Sequence, residues 1–398
     1  MFQQSQHAGA VGIQFSASVS ALGKTAQDVR YALTQTSSCL TQRDDLLLDQ
    51  SCLVGAYHQD LTAIEIKADL QQIDSRNLRL AIHALQQIEA QIHDYTQAFP
   101  RHRLAIVVGT STSGIADNEQ ALKAHFCGQS EQRIAHEKQE MNALAQGLQR
   151  YLNWDGIAYT ISTACSSSAK AFAAGQRLLN ADLADAVLVG GVDSLCKLTL
   201  NGFYSLESLS SGVCQPCGVR RDGINIGEAA SLFLLSKRPS AVMLLASGES
   251  MDAWHISAPH PEGRGAQQAM QKALDAAGLL AEDIDYLNLH GTATPQNDAM
   301  EIKAVRQVFK HQPWLSSTKH QTGHCLGAAG AVEAFICQQV LQDQAWLPLH
   351  QAGEIDPELA DQRYVEQPDI DQPIRYVMSN SFAFGGSNIS LIFGRGDI

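Results

Sequence analysis

Short apolar runs of strand length alternate with longer helical patterns along most of this chain, and that alternation constrains its fold more than any other feature. The first apolar run covers residues 104–108, and others follow at 157–161 and 186–192. Buried strands that alternate with helices are typical of α/β proteins, in which helices cover both faces of a sheet. Between the first two runs, the polar stretch 118–152 has few apolar positions and predicts a helical excursion that faces solvent.

A similar order begins again after about residue 240. The pattern predicts strands near 241–246, 286–290 and 389–393, with helices near 265–278, 298–309 and 328–341. No linker rich in Pro, Gly or Ser separates the two parts, so we expect them to share one core. The prediction is an internal duplication, with an N-terminal half over 1–240 and a C-terminal half over 241–398.

The composition favours a compact globular protein. Of 398 residues, 45% are hydrophobic and 17% are charged, which allows a large core. The 28 Lys and Arg against 41 Asp and Glu leave a net charge of −13, which argues against broad nucleic-acid binding. No apolar run approaches the roughly 18 residues that cross a bilayer, and the polar leader 1–6 has no signal-peptide pattern. We therefore expect a cytoplasmic protein without a membrane span.

The nine cysteines of the chain are expected to be mostly buried thiols. A chain of this length without a signal peptide is not typical of disulfide frameworks. Cys214 and Cys217 form a CxxC pair, but no second pair or nearby histidine pair completes a tetrahedral zinc site. We expect a loop with two ordinary cysteines there, and no metal.

The strongest local signal is the segment 161–171, ISTACSSSAKA. A predicted strand runs into small and hydroxyl residues, and a helix begins just after Cys165. A thiol on such a tight turn lies near unpaired N–H groups and the positive end of the helix, and both favour a thiolate. By itself the segment leaves a buried structural cysteine as an equal alternative.

Three further segments of the C-terminal half carry reactive side chains or glycine turns. His290 begins HGTATP after a predicted strand, and sites of α/β proteins collect at the carboxyl ends of strands. Lys319 and His324 lie in STKHQTGH, and the segment 380–388, NSFAFGGSN, is a glycine turn between apolar flanks. Each alone allows an ordinary interpretation, such as a core histidine, a surface lysine or a plain turn.

Together and in this order, the segments resemble the β-ketoacyl-acyl-carrier-protein synthases, the decarboxylating condensing enzymes of the thiolase superfamily. The resemblance runs from about residue 21 to the final strand. It implies an α/β thiolase fold, with duplicated βα halves in a five-layered αβαβα arrangement. It also implies an acyltransferase that joins malonyl-acyl carrier protein to an acyl group held on cysteine, with loss of CO₂.

The resemblance implies roles for matching residues at the reaction centre. The catalytic residues would be Cys165, His290, His324 and Lys319. The backbone N–H groups of Cys165 and Phe384 would form the oxyanion hole. A supporting charge network would comprise Asp298, Glu301 and Glu333. Within it, Lys319 with Glu301 and Glu333 would orient His324.

Further residues would bind the substrates and the carrier. Thr292 and Thr294 would hold the phosphopantetheine arm, and Thr112 would line the acyl tunnel unless its hydroxyl only satisfies a loop hydrogen bond. The carrier would dock on Arg76 and Arg79, with secondary candidates at Lys197, Arg220 and Arg221. No cofactor is expected beyond the phosphopantetheine of the carrier.

The expected partners are acyl carrier protein and a second synthase-like chain. The strand 157–161 would pair with an identical copy or with a homologous chain-length-factor subunit. The loop 110–114 and the run 255–261 resemble elongating synthases of aryl polyene clusters. The alternatives are a housekeeping fatty-acid elongation synthase and a non-catalytic partner or scaffold subunit. A thiolase fits less well, because it needs a second cysteine in the turn 383–385.

Overall fold

The structure, a computed structural model, describes residues 9–129, 134–351 and 353–396, so the polar leader 1–6 lies outside the described residues. Its strands are β1 (Val11–Val19), β2 (Thr41–Arg43), β3 (Cys52–Val54), β4 (Leu104–Gly109), β5 (Ala158–Ile161), β6 (Ala186–Asp193), β7 (Ala229–Ser236), β8 (Val242–Met251), β9 (Tyr286–Asn288), β10 (Trp314–Ser316), β11 (Tyr376–Phe382) and β12 (Ser387–Arg395). Its α-helices are α1 (Ala26–Leu33), α2 (Arg76–Gln86), α3 (Glu89–Thr96), α4 (Ile115–Phe126), α5 (His136–Gln139), α6 (Ala143–Leu152), α7 (Ser167–Asn180), α8 (Lys197–Ser205), α9 (Arg264–Ala277), α10 (Pro295–Val308), α11 (Lys319–Thr322) and α12 (Ala329–Gln342).

The main sheet repeats one strand order in its two parts. Ten strands form it in the order β10-β9-β11-β12-β8-β1-β7-β6-β4-β5. Counted outward from the middle, the first part runs β1-β7-β6-β4-β5 and the second runs β8-β12-β11-β9-β10. In each part the first two pairings are antiparallel and the last two are parallel. The parts join where β1 pairs with β8. Such repetition is typical of an internal duplication, although the boundary at residue 240 stays a prediction.

Helices divide the molecule into five layers. The central helices α7 and α12 pack on each other and contact strands of both parts, while α2 with α6 covers one outer face and α9 with α10 covers the other. Along β6, Val187 and Val189 enter the central core and Leu188 enters an outer core. This alternation follows from the two-residue period of a strand. The order of layers is αβαβα, so the predicted fold class is confirmed.

Helix α2 shows how local sequence and packing combine. Ser75 caps its N-terminus, where the hydroxyl oxygen accepts the Leu78 N–H at 3.2 Å. The apolar residues Leu78, Ile82 and Leu85 recur at helical spacing and are buried on one side. This face packs on the first part of the sheet, and its burial supplies stability that a short isolated helix lacks.

Two parts of the fold differ from the sequence-based prediction. The described residues of the polar stretch 118–152 lie largely in the helices α4, α5 and α6. The last of these is not a solvent-facing excursion, because Leu144 and Leu148 are buried in the outer core. Three strands of the main sheet, β7, β10 and β11, are missing from the prediction. All nine cysteines are free, and the CxxC pair lies buried in a loop as expected. In the described ranges, no helix is both long and apolar enough to cross a membrane.

Candidate active site

The Cys165 thiol lies on the turn between β5 and α7. Ala164 has a left-handed backbone conformation with φ 51°, which is uncommon for a residue with a side chain and is frequent at functional sites. The Ser167 hydroxyl closes the turn, since it accepts the Thr163 N–H at 2.8 Å and donates to the Ala164 carbonyl at 2.6 Å. The predicted strand-to-helix turn is therefore present.

Two histidines from the C-terminal half meet this thiol. His324 Nε2 lies 2.9 Å from Cys165 Sγ. The sulfur, one ring nitrogen of His290 and one of His324 all lie within 4.8 Å of one another. The two imidazole rings are nearly perpendicular, at 82°, with centroids 5.4 Å apart. All three side chains are buried, so the structure brings the predicted nucleophile and both predicted histidines into one enclosed cluster.

Burial sets the protonation states of this cluster. It lowers the pKa of His290 and of His324 well below the usual value, and the nearby Lys319 charge lowers both further. Both rings are therefore neutral near pH 7. Burial also raises the pKa of Cys165 to about 12, although the Lys319 charge and the Phe384 N–H oppose that rise. Burial therefore favours the neutral thiol, whereas the local turn favours the thiolate, and His324 Nε2 lies within hydrogen-bond distance of the sulfur in either state.

The Phe384 backbone N–H is directed at the Cys165 sulfur. It belongs to a glycine turn in which Gly386 has φ 80°, and a Cβ there would lie 2.0 Å from the Asp252 carbonyl oxygen. The Gly385 N–H donates to the Ile256 carbonyl at 2.8 Å. These contacts fix the turn, and its geometry suits the predicted oxyanion hole, which stays a prediction.

Lys319 forms a buried ion pair with Glu333, and both side chains are at most 4% exposed. Its ammonium group also donates to the His290 carbonyl at 2.5 Å. An unpaired charge in such a place would be costly, so the pair holds the lysine in one position. The lysine therefore contacts the loop of His290, whereas the resemblance implied a role in orienting His324.

The other two predicted carboxyl groups hold the same loop by different contacts. Glu301 accepts the N–H groups of His290 and Gly291, each at 2.8 Å, and burial raises its pKa to about 7. Asp298 accepts the Cys217 N–H at 2.7 Å and the Ala293 N–H at 3.2 Å. The predicted single charge network is therefore corrected, since these two carboxyl groups bind backbone while Glu333 binds Lys319.

A cavity of about 370 Å³ leads from the surface to Cys165. Thr292 and Thr294 line it, and their hydroxyl groups lie 3.2 Å apart. Hydroxyl groups in this position can hydrogen-bond the amides of a pantetheine arm. That role stays a prediction, and the position of both threonines agrees with it.

Thr112 is buried outside the lining of this cavity within the described residues. Its hydroxyl donates to Asp193 at 2.7 Å and accepts the Ser194 N–H at 3.1 Å. These contacts favour the alternative in which Thr112 satisfies a loop hydrogen bond, and the tunnel role stays untested.

Asp193 is a buried residue of the site that was not predicted from the sequence. One of its oxygens accepts the N–H groups of Ser111 and Thr112, each at 2.8 Å, and the other accepts the Ala328 N–H at 3.1 Å. This buried carboxyl group thereby ties the first half to the start of α12. An acidic residue at the end of an apolar strand was the available signal.

The predicted docking arginines are already bound within the chain. Arg76 pairs with Glu228 at 2.6 Å, and Arg79 pairs with Asp74 at 2.7 Å. Of the secondary candidates, Arg221 pairs with Asp356 at 2.5 Å, while Lys197 and Arg220 are exposed. Carrier docking by Arg76 and Arg79 stays a prediction, and these contacts weigh against it.

The cysteine and the two histidines could also be considered as metal ligands. A histidine that binds a metal almost always donates its other ring N–H to a carbonyl or carboxylate. Among the described residues, Nδ1 of His290 and Nδ1 of His324 are buried without such a partner. The cluster therefore fits acid–base and hydrogen-bond chemistry better than a metal site.

The chain is similar to known proteins over most of its length. The β-ketoacyl synthase N-terminal domain matches residues 59–241, and the β-ketoacyl synthase C-terminal domain matches residues 241–352. Nodulation protein E from Rhizobium meliloti is 33% identical over 304 residues, which cover 73% of this chain and 75% of that protein. The ketosynthase ApeO from Xenorhabdus doucetiae, solved in complex with its chain length factor ApeC, is 40% identical, with a TM-score of 0.92. That match covers 99% of this chain and 100% of ApeO.

A curated relative with a stated activity matches over a shorter length. The 3-oxoacyl-[acyl-carrier-protein] synthase 2 of Staphylococcus aureus is 36% identical over 249 residues, which cover 58% of this chain. The match spans 61% of that synthase, or about three fifths of its length.

Proposed function

Because the chain belongs to the β-ketoacyl synthase family, we propose that it condenses malonyl-acyl carrier protein with an acyl group held on Cys165. The observation that carries this proposal is the distance of 2.9 Å between Cys165 Sγ and His324 Nε2, with a ring nitrogen of His290 within 4.8 Å. One sulfur nucleophile beside two neutral imidazoles suits both steps of this reaction, acyl transfer and stabilisation of an enolate.

In the first step, the thiol of Cys165 attacks the thioester of an acyl carrier. Its proton passes to His324 Nε2 as the carbon–sulfur bond forms. The N–H groups of Cys165 and Phe384 stabilise the negative oxygen of the tetrahedral intermediate. The carrier thiolate leaves with the proton, so the step yields acyl-Cys165 and a free carrier thiol.

In the second step, malonyl-carrier occupies the same cavity. Its carboxylate leaves as CO₂, and the electron pair of the broken bond forms an enolate on the thioester. Burial and Lys319 keep both histidines neutral, so each ring can donate one N–H to that oxygen. His324 does so as the tautomer with its proton on Nε2, which it can adopt once Cys165 is acylated and has no proton to donate. Protonated histidines are disfavoured in this buried site, because their charge would lose its stabilisation by water.

In the third step, the enolate carbon attacks the carbonyl of acyl-Cys165. The carbon–sulfur bond breaks, and Cys165 leaves as a thiolate that takes up one proton from solvent. The product is a β-ketoacyl chain on the carrier. No electrons enter or leave, so we propose no cofactor beyond the phosphopantetheine arm.

For the pathway, we propose extension of an aryl polyene chain. The resemblance of the loop 110–114 and the run 255–261 supports this, as does the likeness to ApeO over 99% of the chain. Because ApeO is described with a chain length factor, we propose a homologous subunit as the partner of this chain, with a homodimer as the alternative. The edge strand β5 is half-buried in the single chain and is available for pairing. A cytoplasmic location is part of the proposal.

The direct test measures acyl transfer and condensation separately. The chain is incubated with acyl carriers of graded length and unsaturation, and the mass of its Cys165 peptide is measured. Malonyl-carrier is then added and CO₂ and β-ketoacyl-carrier are quantified, with and without a chain-length-factor subunit. The proposal expects one acyl group on Cys165, followed by stoichiometric CO₂ release. Acylation at another residue, or condensation by Cys165→Ala, would contradict it.

The same assay separates the proposed pathway from housekeeping fatty-acid elongation. A preference for conjugated, rigid acyl chains supports aryl polyene extension. A preference for saturated chains indicates fatty-acid elongation. Absence of acylation with an intact fold indicates a non-catalytic partner subunit.

A further inference from the structure

His324 is held through its backbone as well as through its ring. Its N–H donates to the Asn225 carbonyl at 2.6 Å, and its own carbonyl accepts the Gly227 N–H at 2.9 Å. Both partners belong to the N-terminal half, which also carries Cys165. The segment 225–227 therefore determines where His324 lies relative to the thiol.

Backbone contacts hold the segment 225–227 on both sides. On its other side, Gly55 donates to the Ile226 carbonyl at 2.9 Å and accepts the Glu228 N–H at 2.8 Å. A Cβ at Gly227 would lie 2.4 Å from the Thr322 carbonyl oxygen, two residues before His324. Because the three backbone segments are in such close contact, a displacement of the middle one moves His324.

The end of the segment is fixed by Glu228, whose side chain is 1% exposed. Oε1 accepts the Tyr57 N–H at 3.0 Å and Arg76 Nη2 at 2.6 Å. Oε2 accepts Arg76 Nε at 2.9 Å and the Leu195 N–H at 3.2 Å. The arginine therefore binds both carboxylate oxygens, a geometry that fixes orientation as well as charge.

We propose that Glu228 and Arg76 are positioning residues for His324. They do not touch the reacting atoms, and they act through the backbone of the segment 225–227. This assignment gives Arg76 a role in supporting the position of His324, in place of carrier docking. It rests on the proposed function only in that His324 is the partner of the Cys165 thiol.

The test uses a readout that needs no carrier substrate. The rate of Cys165 alkylation by iodoacetamide is measured against pH, by mass spectrometry of the Cys165 peptide, in Glu228→Gln and Arg76→Lys. Matched controls are Asp185→Asn and Arg103→Lys, because Arg103 also binds both oxygens of a carboxylate, at 2.7 and 3.1 Å. Circular dichroism and thermal unfolding show which variants are folded.

Loss of alignment removes the proton acceptor from the thiol, so alkylation should need a higher pH. We expect Glu228→Gln to lower the alkylation rate at pH 7 by about tenfold and condensation by up to about 10²-fold, since a misplacement near 1 Å has that effect. Arg76→Lys keeps the positive charge but can keep only one of the two contacts with Glu228. Its alkylation rate should therefore lie between those of wild type and Glu228→Gln. The controls should keep the wild-type profile.

Two results would overturn the proposal. One is a wild-type alkylation profile in both Glu228→Gln and Arg76→Lys. The other is an equal shift in the controls, which would show a general effect of a lost ion pair. If Glu228→Gln does not fold, the milder Arg76→Lys decides. If the variants shift the alkylation profile but the wild-type chain does not condense acyl and malonyl carriers, the positioning role is supported and the proposed function is contradicted. The two can therefore fail separately.

Discussion

Replacing Lys319 by methionine tests the buried charge at the centre of this site. The side chains of Lys319 and Glu333 are 2% and 4% exposed, so Lys319→Met leaves a carboxylate without a counter-ion in the interior. Removing one partner of a buried ion pair lowers the free energy of unfolding by about 3–5 kcal/mol. The bond to the His290 carbonyl is lost as well. Since 1.4 kcal/mol is a factor of ten, the folding equilibrium constant should fall by about 10²–10³-fold or more.

The loss of stability in Lys319→Met should be larger at high pH than at low pH. Burial raises the pKa of Glu333, and the Lys319 charge opposes that rise. Without the lysine the pKa of Glu333 rises further, and the carboxyl group takes up a proton as the pH falls. The native state of Lys319→Met then binds more protons than the unfolded state, so its stability rises towards acid pH. The difference from wild type should be smaller at pH 5.5 than at pH 8.

Urea unfolding at both pH values measures the effect, and the double variant Lys319→Met, Glu333→Leu provides the control. That variant has no buried charge and should recover most of the lost stability. It should not recover condensation, because the Lys319 charge also lowers the pKa of His290 and His324. Without that charge the pKa values of both histidines rise, so they become protonated at a higher pH. Any remaining condensation activity should therefore be lost at a higher pH than in wild type as the solution is made acidic. An equal loss of stability at pH 5.5 and 8, or a double variant no more stable than the single one, would refute the reasoning.

Four further outcomes are expected. Cys165→Ala should fold and neither accept an acyl group nor condense, as shown by mass spectrometry with native circular dichroism. His290→Ala should still form acyl-Cys165 but release CO₂ about 10²–10³-fold more slowly, because it removes one donor to the enolate oxygen; loss of acylation with intact decarboxylation would reverse the assignment. Thr112→Phe should reduce acylation by short and long chains alike and lower stability by about 1–3 kcal/mol, since it overpacks a buried position; a selective loss of long chains would instead place Thr112 in the tunnel. Burial lowers the pKa of His350 to about 4, below the ordinary value near 6.5, so the unfolded state binds this proton first as the pH falls. The free energy of unfolding of wild type should therefore drop relative to His350→Gln between pH 6.5 and 4, by about 1.4 kcal/mol per pH unit, and parallel curves in urea unfolding would contradict this.

Local sequence patterns predicted the elements that need no long-range information. The apolar run 186–192 and the strand Ala186–Asp193 agree to within one residue, because a strand buried on both faces is a nearly continuous apolar run. The turn at Cys165 was also predicted, because small and hydroxyl residues between a strand and a helix favour a tight turn through local contacts. By contrast, β11 escaped prediction because its sequence YVMSNSF carries polar residues that are buried against other segments.

Contacts between distant residues could not be predicted in the same way. Arg76 and Glu228 are 152 positions apart, and only the folded chain shows that the arginine serves a buried carboxylate. The ionisation state of Cys165 could not be predicted from the local sequence for a related reason. The local turn favours a thiolate, but the depth of burial that opposes it depends on the whole molecule.

The repeated strand order explains why the nucleophile and its proton partner come from different halves. In the first half, β5 leads through the turn of Cys165 into the central helix α7, and in the second half β10 leads through the segment of His324 into the central helix α12. These are equivalent strand–turn–helix units, so the sulfur and Nε2 of His324 meet where the two central helices begin side by side. His290 follows β9, the equivalent of β4, whose own loop contains Thr112. A duplicated unit therefore supplied two similar turns facing each other, and different side chains on them provide the thiol and the imidazole that a condensation requires.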